Sequence, residues 1–212
     1  MTFWGAMGAD QAVAAARNVA SRALDIDPAS SEALAVLGHA ANWDGDLNLA
    51  GELLSKAIEI GPNDVVALDF YAQYLMEDAR PEESEAVYRK MLHLDPLSET
   101  AHIGLASIFH IAAKYEAASE AVADFKVIQP NSALADSTSF YIERHQGNLA
   151  AAITTMMDAS ALDPDNPDPE GPFQIGLTFL ALEMPLHASG CFDPAMRIGA
   201  QHAVSRRAPP VP

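Results

Sequence analysis

Apolar side chains stand at Leu54, Tyr88, Val122 and Met156, each 34 residues beyond the last, and small ones at Ala50, Ser84, Ala118 and Ala152 keep the same interval. A third series, Gly38, Ala72 and Ala106, runs in step with them. Polar punctuation follows the same period. After each of Pro28, Pro62, Pro96, Pro130 and Pro164, two positions on, stands Ser30, Asp64, Ser98, Ser132 or Asn166. All five are side chains that cap a helix N-terminus by accepting a backbone N–H bond. Each proline therefore ends one helix and each cap starts another. A second polar break falls within each interval: "DGD" at 44–46, "DARPEE" at 78–83, "AAKYE" at 112–116 and "HQGN" at 145–148. These are short turns. Pro81 followed by Glu82 and Glu83 suits the first turn of a helix, where a missing N–H costs nothing and negative charge faces the dipole. The predicted unit is a hairpin of two helices, repeated.

Counting from the residue after each cap gives repeats at 31–64, 65–98, 99–132 and 133–166. Small residues at the eighth and twentieth positions let two helices approach closely, and the apolar twenty-fourth position fills the space between neighbouring hairpins. The ends of the array depart from this pattern. Residues 1–30 form a partial unit, with a stub of a first helix around Phe3 and Trp4, then "ADQAVAAARNVASRALDIDP" as a full second helix. The repeat at 133–166 places Asp136 and Ser139 at its fourth and seventh positions and Phe140 at the eighth, where the other repeats have a small residue. After "DPDNPDPEGP" at 163–172 the register slips by about two residues. A divergent terminal hairpin is expected at 169–200, with Gly176 and Ala195 at its eighth and twenty-seventh positions, and then a flexible tail at 201–212.

The pattern resembles the tetratricopeptide repeat, and "AVLGHAANWDGDLNLAGELLSKAIEIGP" carries the likeness best, through Leu37, Gly38, Ala50, Leu54, Ala57 and Pro62. The resemblance covers residues 1–200. It implies an all-α fold, a solenoid of stacked antiparallel helical hairpins forming a right-handed superhelix, with a concave groove lined by the first helix of each repeat. It also implies a protein or peptide partner in that groove. Carried onto this sequence, the family's groove positions are His39, Asn42, Asp69, Gln73, Met76, Ile103, Ser107, His110, Tyr141 and Arg144, with Ala35 and Ser137 beside them. Phe173, Leu177 and Leu180 join them where the last hairpin continues the path. The segments "NWDGDLNLA", "PNDVVALDFYAQYL" and "LDPLSETA" further resemble repeat regions of bacterial adenylate cyclases and related transcriptional regulators. That likeness implies a regulatory or scaffolding arm, without a catalytic segment.

Family members that grip an acidic C-terminal peptide do so with Lys, Arg and Asn in a carboxylate clamp. The groove positions here offer one Arg and no Lys, so such a clamp is not expected. Tyr141, Met76, Ile103 and the 173–180 end suit an amphipathic helix or an extended peptide with apolar anchors, and basic residues on that ligand would complement Asp69. Tyr141 and Met76 read equally well as interior packing. Trp4 and Trp43 read as packing at hairpin ends.

Composition narrows the partner. Twelve Lys plus Arg against 29 Asp plus Glu give a net charge of −17, which repels phosphate backbones and anionic lipid surfaces, so neither nucleic acid nor membrane is expected. No apolar run reaches the roughly 18 to 20 residues that span a bilayer. The N-terminus "MTFWGAMGAD" lacks a basic n-region and a long apolar core, and Cys191 is the only cysteine, so a cytoplasmic protein is the expectation.

Catalytic and metal-binding chemistry finds little support. His39 and His110 lie two repeats apart, too far to share an ion, and neither belongs to an HExxH pair. The acidic stretch Asp163, Asp165, Asn166, Asp168 and Glu170 lacks the mid-loop glycine of a calcium loop and carries prolines instead. His187 and Cys191 are four apart, on one face of the predicted last helix, with no third group to orient them. No G-x-S-x-G elbow, phosphate-binding glycine loop or dinucleotide fingerprint occurs. The expectation is a non-catalytic interaction module without cofactor or metal. The alternative is a structural arm that self-associates through hairpin faces left uncapped at the solenoid ends.

Overall fold

The computed structural model describes residues 9–162 together with 175, 177–179, 181, 182 and 187, with side chains from Gln11 to Met157 and at those later positions. The chain divides into two compact units after Ala112. The first contains α1 (Ala9–Ile26), α2 (Ser31–Trp43), α3 (Leu47–Ile60), α4 (Val65–Glu77), α5 (Pro81–Leu94) and α6 (Glu99–Ile111). The second contains α7 (Tyr115–Ile128), α8 (Ala133–His145) and α9 (Leu149–Leu162). No strand occurs among the described residues. The fold is all-α, as the repeat pattern requires.

The caps act where the sequence places them. Ser30 Oγ accepts the Ala33 N–H at 3.3 Å, Ser98 Oγ that of Ala101 at 3.3 Å, and Ser132 Oγ that of Ala135 at 3.0 Å. The Asp64 carboxylate takes two, from Val66 at 3.0 Å and Ala67 at 3.2 Å. Each satisfies donors that a helix start would otherwise leave without a partner. Pro28, Pro62, Pro96 and Pro130 fall two residues past the ends of α1, α3, α5 and α7, where a helix can no longer continue. Pro81 opens α5 at its first turn, followed by Glu82 and Glu83. Asn166 and Pro164 lie outside the described residues, as do Phe3, Trp4, the acidic stretch at 163–170, Phe173, Leu180 and Cys191.

The turns inside the repeats share a backbone requirement that the polar clusters only hint at. Gly45, Ala79, Ala113 and Gly147, again 34 residues apart, all have positive φ, at 80°, 57°, 56° and 83°. After α2, the Gly45 N–H donates to the Asn42 carbonyl and the Asp46 N–H to that of Ala41, both at 3.0 Å. The same pair of bonds recurs at Ala79 and Arg80 and at Gly147 and Asn148. This is the Schellman closure, which needs one left-handed residue just past the helix end. Glycine enters that conformation freely. Alanine does so against its own Cβ, at about 1–2 kcal/mol.

Packing follows the small-residue series. In the first unit α2 lies against α3 and α4 against α5 as hairpins, α1 packs on α2 as the second helix of the partial unit, and α4 is flanked by α2 and α6. Ala50, Ala72, Ser84 and Ala106 are fully buried, and a methyl group placed on Gly38 would come within 2.6 Å of Leu54 Cγ. Leu54, Ala57, Ala67 and Leu75 belong to one core cluster, and Leu68, Tyr88, Met91 and Leu105 to the next. Ser84 adds a polar tie, its hydroxyl donating to the Ala72 carbonyl at 2.8 Å.

In the second unit α8 forms a hairpin with α9 and packs on α7. Phe140 breaks the small-residue rule at the eighth position, yet it is completely buried among Ala152, Ile153, Met156 and Ile175, because small Ala152 faces it. Asp136, also buried, ion-pairs with Lys126 of α7, so the second irregularity of this repeat is compensated by a charge from the preceding helix. Trp43 stands at the end of α2, where its side chain is 54% exposed.

The left-handed positions give a clean test, because nothing lies within 4 Å of a Cβ built on Gly45. Gly45→Ala should lower stability by about 1 kcal/mol through backbone strain alone, and Ala79→Gly should raise it by a similar amount. Thermal melts of the two variants against wild type check both signs; an unchanged midpoint in Gly45→Ala would contradict the strain argument.

Candidate functional site

The groove positions of the first unit sit on three neighbouring helices: His39 and Asn42 on α2, Asp69, Gln73 and Met76 on α4, and Ile103, Ser107 and His110 on α6. Three- and four-residue steps along each helix bring them to one side. They are not equivalent. Ile103 is only 8% exposed, and Met76 packs against the second core cluster, so both serve mainly as interior. Ser107 turns its hydroxyl back to the Ile103 carbonyl at 2.9 Å. Ala35 is fully buried and offers no groove surface, because the small residue sits where α2 meets its neighbours.

A polar cluster forms around Asp69, which is partly buried. Its Oδ2 accepts from Gln73 Nε2 at 3.0 Å, one helical turn on, and its Oδ1 accepts from the Tyr88 hydroxyl of α5 at 3.2 Å. Across from it on α2, the His39 ring stacks on Phe70 with centroids 4.1 Å apart and planes 11° from parallel. His39 Nδ1 and Asn42 Oδ1 are buried without a hydrogen-bond partner. Buried polar atoms are nearly always paired, so these two, one turn apart on α2, mark a place where the chain's own bonding is incomplete.

The electrostatics agree with the geometry. Burial pushes the Asp69 carboxyl above its ordinary range, against the opposing pull of the Gln73 and Tyr88 hydrogen bonds and of His39. Burial likewise holds His39 below its ordinary value, with the Asp69 charge acting the other way. Tyr88 is pushed up by burial first and by the adjacent carboxylate second. The three groups therefore share one desolvated environment in which each charged form is disfavoured.

Tyr88 and Phe70 were not among the sequence-derived groove residues. Tyr88 occupies the twenty-fourth position, filled by Leu54, Val122 and Met156 in the other repeats, and there it is 5% exposed. Its hydroxyl was the available signal, since a buried tyrosine needs a polar partner that an aliphatic residue does not. Gly104 of α6 makes room for the ring: a Cβ on that glycine would meet three of the ring carbons.

Tyr141 and Arg144 belong to α8 in the second unit. Tyr141 is partly exposed and set edge-on to Phe140, with centroids 5.1 Å apart, and it packs beside the Phe140 cluster. Arg144 is partly exposed in the last turn of α8, as is Ser137 farther back on the same helix. Leu177 is partly exposed. His187 lies near Phe179, ring centroids 5.3 Å apart. Among the described residues no three metal-ligating side chains converge, and no helix is long and apolar enough to cross a membrane.

Comparison with solved structures places the fold. The chain is similar to PilW, described as a widely conserved type IV pilus biogenesis factor, at 19% identity and a TM-score of 0.71, with 85% of this chain and 83% of that one covered. It is similar to a tetratricopeptide repeat protein from Parabacteroides merdae at 14% identity and a TM-score of 0.74, covering 93% and 77%. MamA from Desulfovibrio magneticus aligns at 18% identity and a TM-score of 0.60 over 92% and 98%. No family model matches the sequence, and no curated protein matches it.

The Asp69 cluster predicts a pH signature. Folding favours the protonated carboxyl, so Asp69 supports stability fully below its ordinary value of 3.8 and loses that support as pH rises through the raised folded value. Asp69→Asn should therefore melt above wild type at neutral pH, with the difference closing as the solution is acidified toward that value. A difference independent of pH would refute the assignment. Tyr88→Phe should cost about 1 kcal/mol for the lost hydrogen bond. Gly104→Ala should cost about 1–3 kcal/mol by crowding the Tyr88 ring, read from denaturant titrations.

Proposed function

From the tetratricopeptide-repeat fold of this chain we propose that it is a non-catalytic interaction module, binding a peptide or helix of a partner protein along the face built by α2, α4 and α6. The observation that carries this reading is that α2, α4 and α6, the first helices of successive hairpins, stand next to one another and bear the partly exposed polar side chains of His39, Asn42, Asp69, Gln73 and His110. In this reading His39, Asn42, Asp69 and Gln73 supply the polar contacts, and Met76 and Ile103 form the apolar floor. Ser107 and His110 extend the face along α6; in the second unit, taken by itself, Tyr141 and Arg144 on α8 are the positions we assign to partner contact. The setting we assign is a cytoplasmic regulatory or scaffolding arm of a bacterial protein, which the single cysteine and the net charge of −17 suit.

A second reading, self-association, is favoured by one feature at the other end of the first unit. An open groove of about 430 Å³ lies between α1 and α2, lined by Ala16, Val19, Ala20, Ala23, Ala33 and Val36. Val19 is 66% exposed there. An apolar face of this kind at the start of a helical array is what a neighbouring hairpin ordinarily covers.

Affinity capture from host lysate separates the readings. Wild type is expected to retain at least one protein that a folded Asn42→Ala, Asp69→Lys variant loses, while both show the same mass in solution across a dilution series. Identical captures from both proteins, together with a mass that falls on dilution and a Val19→Glu variant that is monomeric throughout, would favour self-association instead.

A further inference from the structure

We propose that the Phe3–Trp4 segment, which precedes α1 and lies outside the described residues, occupies the open groove between α1 and α2, with the Trp4 indole over Val19 and Ala20. The chain thus supplies its own cover for the first face of the array. This goes beyond the interaction reading and is independent of it, and it leaves the groove closed to a second copy.

The repeat defines what belongs in the groove. In the first unit each first helix packs on the second helix of its own hairpin and on the first helix of the next: α2 lies against both α3 and α4, and α4 against both α5 and α6. The channel between α1 and α2 is built the same way, but no described helix precedes α1 to fill it. What stays open is a groove of about 430 Å³, walled by Ala16, Val19, Ala20, Ala23, Ala33 and Val36. Val19 is left 66% exposed.

The 34-residue register names the occupant. One period before Leu37 and Gly38 stand Phe3 and Trp4, and one period before Leu53 and Leu54 stand Val19 and Ala20. In the complete hairpin these positions face each other, since a Cβ on Gly38 would meet Leu54 Cγ at 2.6 Å and Leu53 Cβ at 3.3 Å. The sizes are exchanged in the partial unit. Glycine at 38 opposes leucine at 54, whereas tryptophan at 4 corresponds to alanine at 20, so the bulk that Ala20 withholds is carried by Trp4. Phe140, at the same place in its own repeat, is fully buried with small Ala152 in its cluster, so the fold accepts an aromatic there.

The tether reaches. Helix α1 begins at Ala9, four residues earlier than the start of α3 would require in register, so the chain reverses at or before Gly8, where glycine enters left-handed backbone freely. Five extended residues from Ala9 back to Trp4 span about 16 Å, whereas a helix of the same residues spans only about 8 Å. Along the α1 axis Ala16 lies about 10 Å from Ala9 and Ala20 about 16 Å, so the segment enters extended. Residues 1–8 carry no charged side chain, which suits the apolar walls. So short a tether holds the segment at an effective concentration of about a millimolar. A second copy, by contrast, must approach against a net charge of −17.

The test uses the full chain as a Trp43→Phe variant, which leaves Trp4 as its only tryptophan, with carbon-13 in the alanine and valine methyls. Nuclear Overhauser contacts are expected from the Trp4 indole to the methyls of Val19 and Ala20, with a strength unchanged on dilution. Mixing labelled with unlabelled chains assigns their source. Contacts that cross between chains would overturn the proposal in favour of a second copy, and an indole silent toward α1 would overturn it outright. A mutant cycle checks the exchange of sizes separately. Ala20→Leu should displace the indole and erase those contacts while the signals of α4 and α6 stay in place. Trp4→Ala should then lower the thermal midpoint of the parent chain but leave that of the Ala20→Leu chain unmoved. An equal shift in both backgrounds would contradict the contact.

Discussion

Two helices of a hairpin can lie side by side only where one of them gives up its side chain, and the architecture of this chain depends on that close approach. Ala50, Ser84, Ala118 and Ala152 hold the same place in successive repeats, and all four are completely buried. Leu54, Tyr88, Val122 and Met156, one turn further along, then fill what the small residues leave open. Burial of such side chains contributes on the order of 1.5–3 kcal/mol each, but only when the helices are near enough to exclude water on both sides. Phe140 shows that the constraint acts on the pair and not on one position, since a large residue is accommodated when its partner is Ala152.

The same close packing creates the polar cluster. Tyr88 fills its interior place with a ring and carries a hydroxyl along with it, and the hydroxyl finds Asp69. A carboxylate that would prefer water is thereby held where burial raises its protonation energy, next to a histidine that burial keeps neutral. Such an arrangement costs stability in the isolated chain. Surfaces that bind commonly carry this kind of cost, because groups fully satisfied within the fold have nothing to offer a ligand.

Much of the fold was legible because it rests on features that repeat. A cap at Ser98 or a proline at Pro62 acts locally, through its own backbone neighbours, and the period of 34 residues reinforced each reading by several others. The left-handed turns were only half visible: Gly45 and Gly147 announce them, whereas Ala79 and Ala113 adopt a conformation that alanine does not advertise. The site was harder to read. Family geometry placed His39, Asn42, Asp69 and Gln73 on one face, but it could not tell that Ala35 and Ile103 sink into the interior. That depends on how far each helix is rotated against its neighbours. Nor could it find Tyr88, whose role comes from a side chain reaching between helices. Phe70 was missed for the same reason, since it matters only through its stack on a histidine from another repeat.

Tyr88 also adds a polar tie to a junction that Leu68, Ala72, Met91, Leu105 and Ile108 already pack together. Its hydroxyl holds the Asp69 carboxylate on α4, while its ring rests against Gly104 on α6, so one rigid aromatic spans the junction between consecutive repeats. One side chain thus carries both the hydrogen bond that holds a partly buried carboxylate inside its own hairpin and the surface on which the next repeat's first helix is seated.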